Sequence, residues 1–284
     1  MKHAGVAKLF MALALLTPLA ACIERQFFYP DRTVYTTPER FGLRWTEVTI
    51  PGPDGSRLHG WWLPAQAAPG APARGTVLHL HGNAANVSNH FPLVEWVPKA
   101  GYNLLTFDYR GFGQSSGEPS LDGVVADSLA ALAWLRVQPG VDARRLVVLG
   151  QSLGGATAVR VVAAEPEGVK LLVLDCPFSS YRGIARDAVN GSWLGAVLPA
   201  AAWLLPGSER DPLTAVKKLK VPLFVLHSSD DAVVPLAHGK ALYAAAPEPK
   251  QWLEVQQTQH VDGLTHEPVR QQVIAAMQRA LQAP

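Results

Sequence analysis

Hydrophobic positions along the chain form short continuous runs that are separated by longer amphipathic stretches. Five of these stretches predict helices, at about 89–99, 121–137, 153–165, 236–246 and 268–282. The runs predict eight strands, at 45–50, 58–63, 76–81, 102–107, 146–150, 171–175, 222–227 and 251–255. The later strands are apolar throughout, which is typical of strands buried on both faces. The alternation predicts an α/β fold with a mostly parallel sheet and helices on both faces.

Two segments depart from this alternation. The first two strands are joined by Pro51-Gly52-Pro53-Asp54-Gly55, a turn sequence that predicts an antiparallel start to the sheet. The stretch 181–214 is longer than a crossover needs and contains an apolar run from Trp193 to Leu205. We expect a short helical cap there, over the edge of the sheet. The alternative is an ordinary crossover helix.

Composition fits one large ordered domain. The chain has 284 residues, of which 48% are hydrophobic and 17% charged. The formal net charge of +2 and the lack of a basic stripe argue against a nucleic-acid partner. We therefore expect no nucleic acid as partner.

The N-terminus has the pattern of an export signal. Lys2 and Lys8 precede an apolar stretch at 9–16, and Leu19-Ala20-Ala21-Cys22 follows. This segment resembles a bacterial lipoprotein signal, which implies cleavage before Cys22 and lipidation of that residue. The implied location is the cell envelope, and Ile23 favours the outer membrane of a Gram-negative cell. The alternative is an ordinary signal peptide that releases the protein.

These boundaries predict three parts of the chain. Residues 1–21 are a signal peptide and residues 22–40 an anchor and tether. Residues 41–284 form the folded domain. The tether carries aromatic residues, Phe27, Phe28 and Tyr29, that could pack on the domain or touch lipid.

The sequence Gly150-Gln151-Ser152-Leu153-Gly154 lies between a predicted strand and a predicted helix. A phosphate loop would need a Gly-Lys-Ser/Thr sequence, and a dinucleotide site would need a different glycine spacing. The pattern Gly-x-Ser-x-Gly is that of a nucleophile elbow, in which a sharp turn exposes the serine. Ser152 is therefore the predicted nucleophile.

A serine nucleophile needs a base and an orienting carboxylate, here expected in the chain order serine, acid, histidine. We predict Asp231, in the loop after the strand 222–227, as the acid; Asp230 and Asp175 are its rivals. We predict His260, in the loop before the last helix, as the base; His266 is its rival.

Backbone amides complete the predicted site. The N–H groups of Leu153 and Asn83 are expected to form the oxyanion hole. His79 and His81 share a strand face, but no Asp-His pair follows to complete a metal site. We therefore expect a structural His81, no metal and no cofactor. Cys176 is expected to be a buried structural thiol. The glycine-containing loop 108–117 is expected to be structural, with Asp108 and Arg110 paired locally.

Taken together, these motifs resemble the α/β-hydrolase superfamily over roughly residues 27–282. The segments that carry the resemblance are His81-Gly82-Asn83-Ala84, Asp108-Tyr109-Arg110-Gly111-Phe112-Gly113 and Gly150-Gln151-Ser152-Leu153-Gly154-Gly155. They are similar to the serine-aminopeptidase-like branch, which includes membrane-associated proteins that remove palmitate. Two dipeptides depart from the family pattern. His227-Ser228 stands where the family usually has His-Gly, and Thr258-Gln259 stands where it usually has small residues before the histidine.

The resemblance implies an α/β-hydrolase fold with an eight-stranded sheet, and a Ser-His-Asp enzyme that forms an acyl-enzyme. The predicted Ser-His-Asp set favours cleavage of an ester or thioester in a small-molecule or acylated substrate. The predicted cap and anchor suggest that this substrate carries acyl or lipid-like groups. One alternative is an aminopeptidase, which would use Asp187, Glu209 and Asp211 to hold a substrate ammonium. Another is a non-catalytic envelope lipoprotein that serves as a scaffold.

Overall fold

A computed structural model describes residues 27–66, 71–190 and 207–282. Its main sheet has eight strands in the order β10-β9-β8-β7-β4-β6-β3-β2. Every pair from β10 to β6 is parallel, whereas β6–β3 and β3–β2 are antiparallel. The strands are β1 (Tyr29–Pro30), β2 (Thr46–Pro51), β3 (Arg57–Leu63), β4 (Thr76–Leu80), β5 (Ala84–Ala85), β6 (Asn103–Phe107), β7 (Leu146–Gln151), β8 (Val169–Asp175), β9 (Leu223–Ser228) and β10 (Lys250–Val255).

Helices cover both faces of this sheet. They are α1 (Val87–His90), α2 (Trp96–Lys99), α3 (Leu121–Arg136), α4 (Leu153–Ala164), α5 (Tyr181–Asn190), α6 (Pro212–Val216), α7 (Leu236–Ala245) and α8 (Glu267–Gln282). Short 3-10 helices lie at Pro38–Phe41, Phe91–Leu93, Ser208–Arg210 and Asp262–Thr265. The predicted mostly parallel α/β architecture with an antiparallel start is confirmed.

The central strand β7 separates two hydrophobic cores, because successive side chains point to opposite faces of a strand. Leu146 and Val148 lie in the core beneath α3 and α4. Val147 and Leu149 lie in the core beneath α8. Every residue of β7 is buried, which explains why its sequence is apolar and does not alternate with polar residues.

The prediction of one continuous helix at 89–99 is wrong. The chain forms α1, a 3-10 turn at Phe91–Leu93, and α2 instead. Pro92 and Pro98 lack the N–H that a continuous helix would use, so the apolar residues pack from separate turns.

The segment predicted as a cap is partly described. It opens with α5 and closes with Ser208–Arg210 and α6. The apolar run from Trp193 to Leu205 lies outside the described residues, as do the signal segment and Cys22. In the described part of the chain, no helix has the length and apolar character needed to cross a membrane.

The start of the described chain is attached to the domain. Strand β1 pairs in parallel with β5, with Tyr29 opposite Ala84 and Pro30 opposite Ala85. The Phe28 side chain is only 5% exposed and its ring makes an edge contact with Phe112. Tyr29, by contrast, is 67% exposed. Phe27 is partly buried against the same core, so two of the three tether aromatics pack on the domain and one faces outward.

Candidate active site

Ser152 occupies a sharp turn between β7 and α4. Its backbone has φ 54° and ψ −114°, a left-handed conformation that a non-glycine residue adopts only at a cost in free energy. The turn is held by a hydrogen bond from the Ser152 N–H to the Asp175 carbonyl at 2.9 Å. The side chain thus stands at the carboxyl edge of the sheet, at the N-terminus of a helix.

The flanking glycines make this turn possible. A Cβ on Gly150 would lie 2.4 Å from the Gly154 carbonyl oxygen. A Cβ on Gly154 would lie 1.9 Å from the Leu80 carbonyl oxygen and 2.5 Å from that of His81. These clearances show that α4 approaches the end of β4 so closely that only glycine fits.

Asp231 and His260 come from two neighbouring strand ends and meet at the same edge of the sheet. His260 Nδ1 and Asp231 Oδ2 lie 2.7 Å apart, as a hydrogen bond donated by the imidazole. Asp231 Oδ1 accepts the Val233 and Val234 amides at 2.9 and 2.8 Å. Burial alone would raise the pKa of Asp231, but the hydrogen bond and charge of His260 together with these amides lower it.

The rival acids and base occupy different places. Asp230 and His266 are exposed on the surface. Asp175 is fully buried, accepts a hydrogen bond from Gln151 Nε2 at 2.9 Å, and has a pKa raised to about 6, chiefly by burial. The structure therefore brings Asp231, and neither rival, to the ring of His260.

Asp175 ends a buried polar chain that the sequence did not predict. Thr106 Oγ1 and Gln151 Oε1 each lie 2.9 Å from a ring nitrogen of His79, and the Gln151 amide continues to Asp175. Burial lowers the pKa of His79 to about 3, so the ring is neutral and joins a donor to an acceptor. This chain links β6, β4, β7 and β8 directly beneath the Ser152 turn.

The two predicted oxyanion amides have no acceptor within the described residues. Leu153 is the first residue of α4, where helix N–H groups have no intrahelical partner. Asn83 follows β4 and is held through its other polar groups: its carbonyl accepts the Tyr29 N–H at 3.3 Å, and its Nδ2 donates to the Phe27 carbonyl at 2.5 Å. Both N–H groups are therefore without a hydrogen-bond acceptor in the described part of the chain.

His81 supports this loop. Its Nδ1 donates to the Gly82 carbonyl at 2.8 Å, and its own carbonyl accepts the Tyr109 hydroxyl at 3.0 Å. The ring stacks on His90, with centroids 5.4 Å apart. Burial, followed by the neighbouring histidines, lowers the pKa of His81 and keeps the ring neutral. These contacts make it a structural residue of the loop.

A group of metal-ligand residue types lies behind Asp231. Ligand atoms of Cys176, His227 and Asp231 fall within 4.8 Å of one another. They fit a metal poorly: burial raises the pKa of the Cys176 thiol, His227 Nε2 donates to the Val234 carbonyl at 2.9 Å, and Asp231 already binds His260. Cys176 is a buried free thiol, as expected for a structural cysteine.

The expected pairing of Asp108 with Arg110 is wrong. The Arg110 side chain binds Asp127 on α3 with two nitrogens and reaches Asp54 at 2.7 Å with a third. Asp108 instead accepts the Val87 N–H at 2.7 Å. Asp108 and Arg110 therefore point toward different neighbours, and each pairs with a residue outside this loop.

Two of the three acids proposed for an ammonium site have hydrogen-bond partners elsewhere in the fold. Asp187 Oδ2 lies 2.9 Å from His238 Nε2, and Ser179 Oγ lies 2.8 Å from Nδ1 of the same ring. Asp211 is buried and accepts the Tyr181 N–H at 3.0 Å. Two of the three carboxylates thus already have partners that tie α5 to its surroundings.

Comparison with known proteins places the chain in a family. Residues 75–207 match the family model described as alpha/beta hydrolase fold. The chain is 36% identical over 240 residues to the uncharacterized protein YfhR of Escherichia coli (strain K12), covering 84% of this chain and 80% of that protein. The chain belongs to the α/β-hydrolase family.

More distant relatives extend this result. The alpha/beta hydrolase domain-containing protein WAV2 of Arabidopsis thaliana is 32% identical over 225 residues, covering 74% of this chain and 69% of that protein. The Pyrococcus furiosus esterase Pf2001 superposes with a TM-score of 0.67 at 25% identity, covering 90% of this chain and 97% of that one. The fold and its esterase neighbour support hydrolase activity.

Proposed function

We propose that the protein is a serine hydrolase that cleaves carboxylic esters or thioesters through an acyl-enzyme. One observation carries the proposal: the hydrogen-bonded His260–Asp231 pair and the strained Ser152 turn converge at the carboxyl edge of one sheet. A strained serine at the sheet edge that also carries an oriented imidazole is the arrangement that nucleophilic acyl transfer requires. The similarity to an esterase of known structure supports the same class.

In the proposed reaction, Ser152 Oγ attacks the substrate carbonyl while His260 Nε2 accepts its proton. Nε2 is free for this role because Nδ1 is bound to Asp231. Ser152 Oγ and His260 share no hydrogen bond within the described residues, and such bonds often form only when substrate is bound. The negative charge that develops on the carbonyl oxygen is stabilised by the N–H groups of Leu153 and Asn83.

The attack of Ser152 on the substrate carbonyl gives a tetrahedral intermediate, which then collapses. The bond from the carbonyl carbon to the alcohol or thiol breaks, and His260 gives its proton to the leaving group. Water, deprotonated by His260, attacks the acyl-enzyme carbonyl. The bond to Ser152 Oγ then breaks, His260 returns the proton to Oγ, and the acid is released. Asp231 stays ionised, since its pKa is lowered, and its charge stabilises the imidazolium in each half-reaction.

Acyl or lipid-like substrates are part of the proposal. Two features of the sequence support them: the apolar run from Trp193 to Leu205 and the lipoprotein-type signal that ends at Cys22. Lipidation of Cys22 would hold the protein at the cell envelope, because several acyl chains at about 0.8 kcal/mol per buried methylene anchor firmly. Labelling with radioactive palmitate in wild type, and its loss in Cys22→Ala, is the expected result; equal labelling of the two would overturn the anchor.

The activity is tested with a fluorophosphonate probe on the purified protein. We expect stoichiometric labelling of Ser152, located by mass spectrometry, and loss of labelling in His260→Ala. His266→Ala is the matched control and should label like wild type, since His266 is exposed and Asp231 binds His260. A folded wild-type protein that is not labelled, and that hydrolyses no ester from acetyl to palmitoyl, would favour a scaffold instead.

A further inference from the structure

The N-terminal strap, residues 27–35, lies along the loop that carries Asn83. The Tyr29 N–H donates to the Asn83 carbonyl at 3.3 Å, and Asn83 Nδ2 donates to the Phe27 carbonyl at 2.5 Å. The Asp31 N–H donates to the Ala85 carbonyl at 3.1 Å. The strap therefore binds Asn83 through its side chain and its carbonyl, and leaves the N–H without an acceptor among the described residues.

The same strap continues along the loop to the start of α1. Asn86 Nδ2 donates to Asp31 Oδ1 at 2.9 Å and to the Thr33 carbonyl at 2.8 Å. Within this stretch, Ala85 has φ 57°, a left-handed conformation that persists in a non-glycine residue only when its surroundings hold it. The strap supplies hydrogen bonds on both sides of this strained residue.

The other face of the strap contacts the entrance to the predicted cap. The Phe27 ring makes edge contacts with Phe178 and Tyr181, at centroid distances of 6.0 and 5.9 Å. Tyr181 is the first residue of α5, and Phe178 follows β8. The Asp31 carbonyl also accepts the Gly113 N–H at 3.0 Å. The strap thus joins the Asn83 loop, the loop 108–117 and the start of the predicted cap.

We propose that the strap is a positioning element of the active site, which holds the Asn83 amide toward the developing oxyanion and joins it to the attachment point of the chain. This inference rests on the proposed function. Four residues separate Cys22 from Phe27, so the anchor lies at most about 18 Å along the chain from the strap. The strap, which begins five positions after Cys22, and the Asn83 loop are joined by hydrogen bonds.

The test removes one donor from the strap. Tyr29→Pro deletes the N–H that binds the Asn83 carbonyl, and Tyr29→Ala keeps it while removing a side chain that is 67% exposed. For a water-soluble short-chain ester, we expect kcat of Tyr29→Pro to fall about tenfold with KM unchanged, because a misplaced oxyanion donor affects the transition state more than substrate binding. Tyr29→Ala should stay within about twofold of wild type.

The rate of fluorophosphonate labelling at Ser152 should fall in parallel with kcat in Tyr29→Pro, while the unfolding midpoint stays close to that of Tyr29→Ala. A Tyr29→Pro protein with the kcat of Tyr29→Ala would overturn the role of the strap. If Tyr29→Pro does not fold, Asp31→Ala is measured instead, with an expected fall in kcat of about threefold. A folded wild-type protein that hydrolyses no ester would overturn the proposed function and not the strap alone.

Discussion

His260 donates a hydrogen bond of 2.7 Å to one oxygen of Asp231, while two backbone amides hold the other oxygen. The carboxylate is thereby fixed before any substrate arrives, and the imidazole has its Nε2 directed away from Asp231. The pair thus has the tautomer and orientation that a general base needs.

Replacing Asp231 with asparagine should lower kcat by about 10³- to 10⁴-fold, because an amide donor facing Nδ1 favours the wrong imidazole tautomer. The matched control is Asp230→Asn, whose carboxylate is exposed, and it should keep full activity. Steady-state kinetics on a soluble ester measure both variants. Equal losses in the two variants would contradict the assignment of Asp231.

Gly154→Ala should prevent folding or cost at least about 3 kcal/mol in the free energy of unfolding, because the new Cβ would lie 1.9 Å from the Leu80 carbonyl oxygen. Gly155→Ala is the control, with 3.1 Å to Pro177 Cβ, and should be far better tolerated. Denaturant unfolding monitored by circular dichroism compares them. A Gly154→Ala protein as stable as Gly155→Ala would disprove the close approach of α4 to β4.

Asp175 should make stability depend on pH. Its pKa is raised to about 6 in the folded state, chiefly by burial, against about 3.9 in the unfolded chain. The folded state therefore binds more protons between these values, and this group lowers stability as pH rises from about 4 to 6, by about 3 kcal/mol in total.

Asp175→Asn removes this ionisation while it keeps an oxygen for Gln151. As pH rises from about 4 to 6, the free energy of unfolding should fall less in Asp175→Asn than in wild type. Urea titrations at a series of pH values measure the difference, in which the contributions of His79 and His90 cancel. Parallel curves for the two proteins would show that Asp175 does not titrate there.

Arg110 offers a comparison between a buried and an exposed partner. Asp127→Ala should cost about 3 kcal/mol, because Asp127 is fully buried and binds both the Arg110 guanidinium and its backbone N–H. Asp54→Ala removes an exposed partner of the same arginine and should leave the unfolding midpoint unchanged within error. Comparable losses in both variants would contradict this ranking.

The sheet and the Ser152 turn were predictable because local signals specify them. Buried strands such as β7 are uninterrupted apolar runs, and the elbow depends on glycines that are two residues from Ser152 on either side. Asp231 and His260 were predictable because each follows a strand whose carboxyl end lies at the same edge. Because β9 and β10 are parallel neighbours, the loops that follow them bring Asp231 and His260 into contact.

Other features had no local signal. The partner of Arg110 lies on α3, seventeen residues away, so a pairing with nearby Asp108 was the wrong expectation. The segment 89–99 is an exception, because Pro92 and Pro98 are a local signal against the single helix that the spacing of its apolar residues predicts. The strap pairs through two residues, too few to show any periodicity, so its contact with Asn83 could come only from the structure.

The short reach from Cys22 to the strap has a consequence for kinetics. With Cys22 lipidated, as we propose, the catalytic edge stays close to the surface that holds the anchor, and encounters with membrane-borne acyl groups take place in two dimensions. Turnover would then follow the number of substrate molecules per unit area of the leaflet and the rate of their lateral diffusion. The turnover rate would then not change when the membranes, with enzyme and substrate on them, are diluted in buffer.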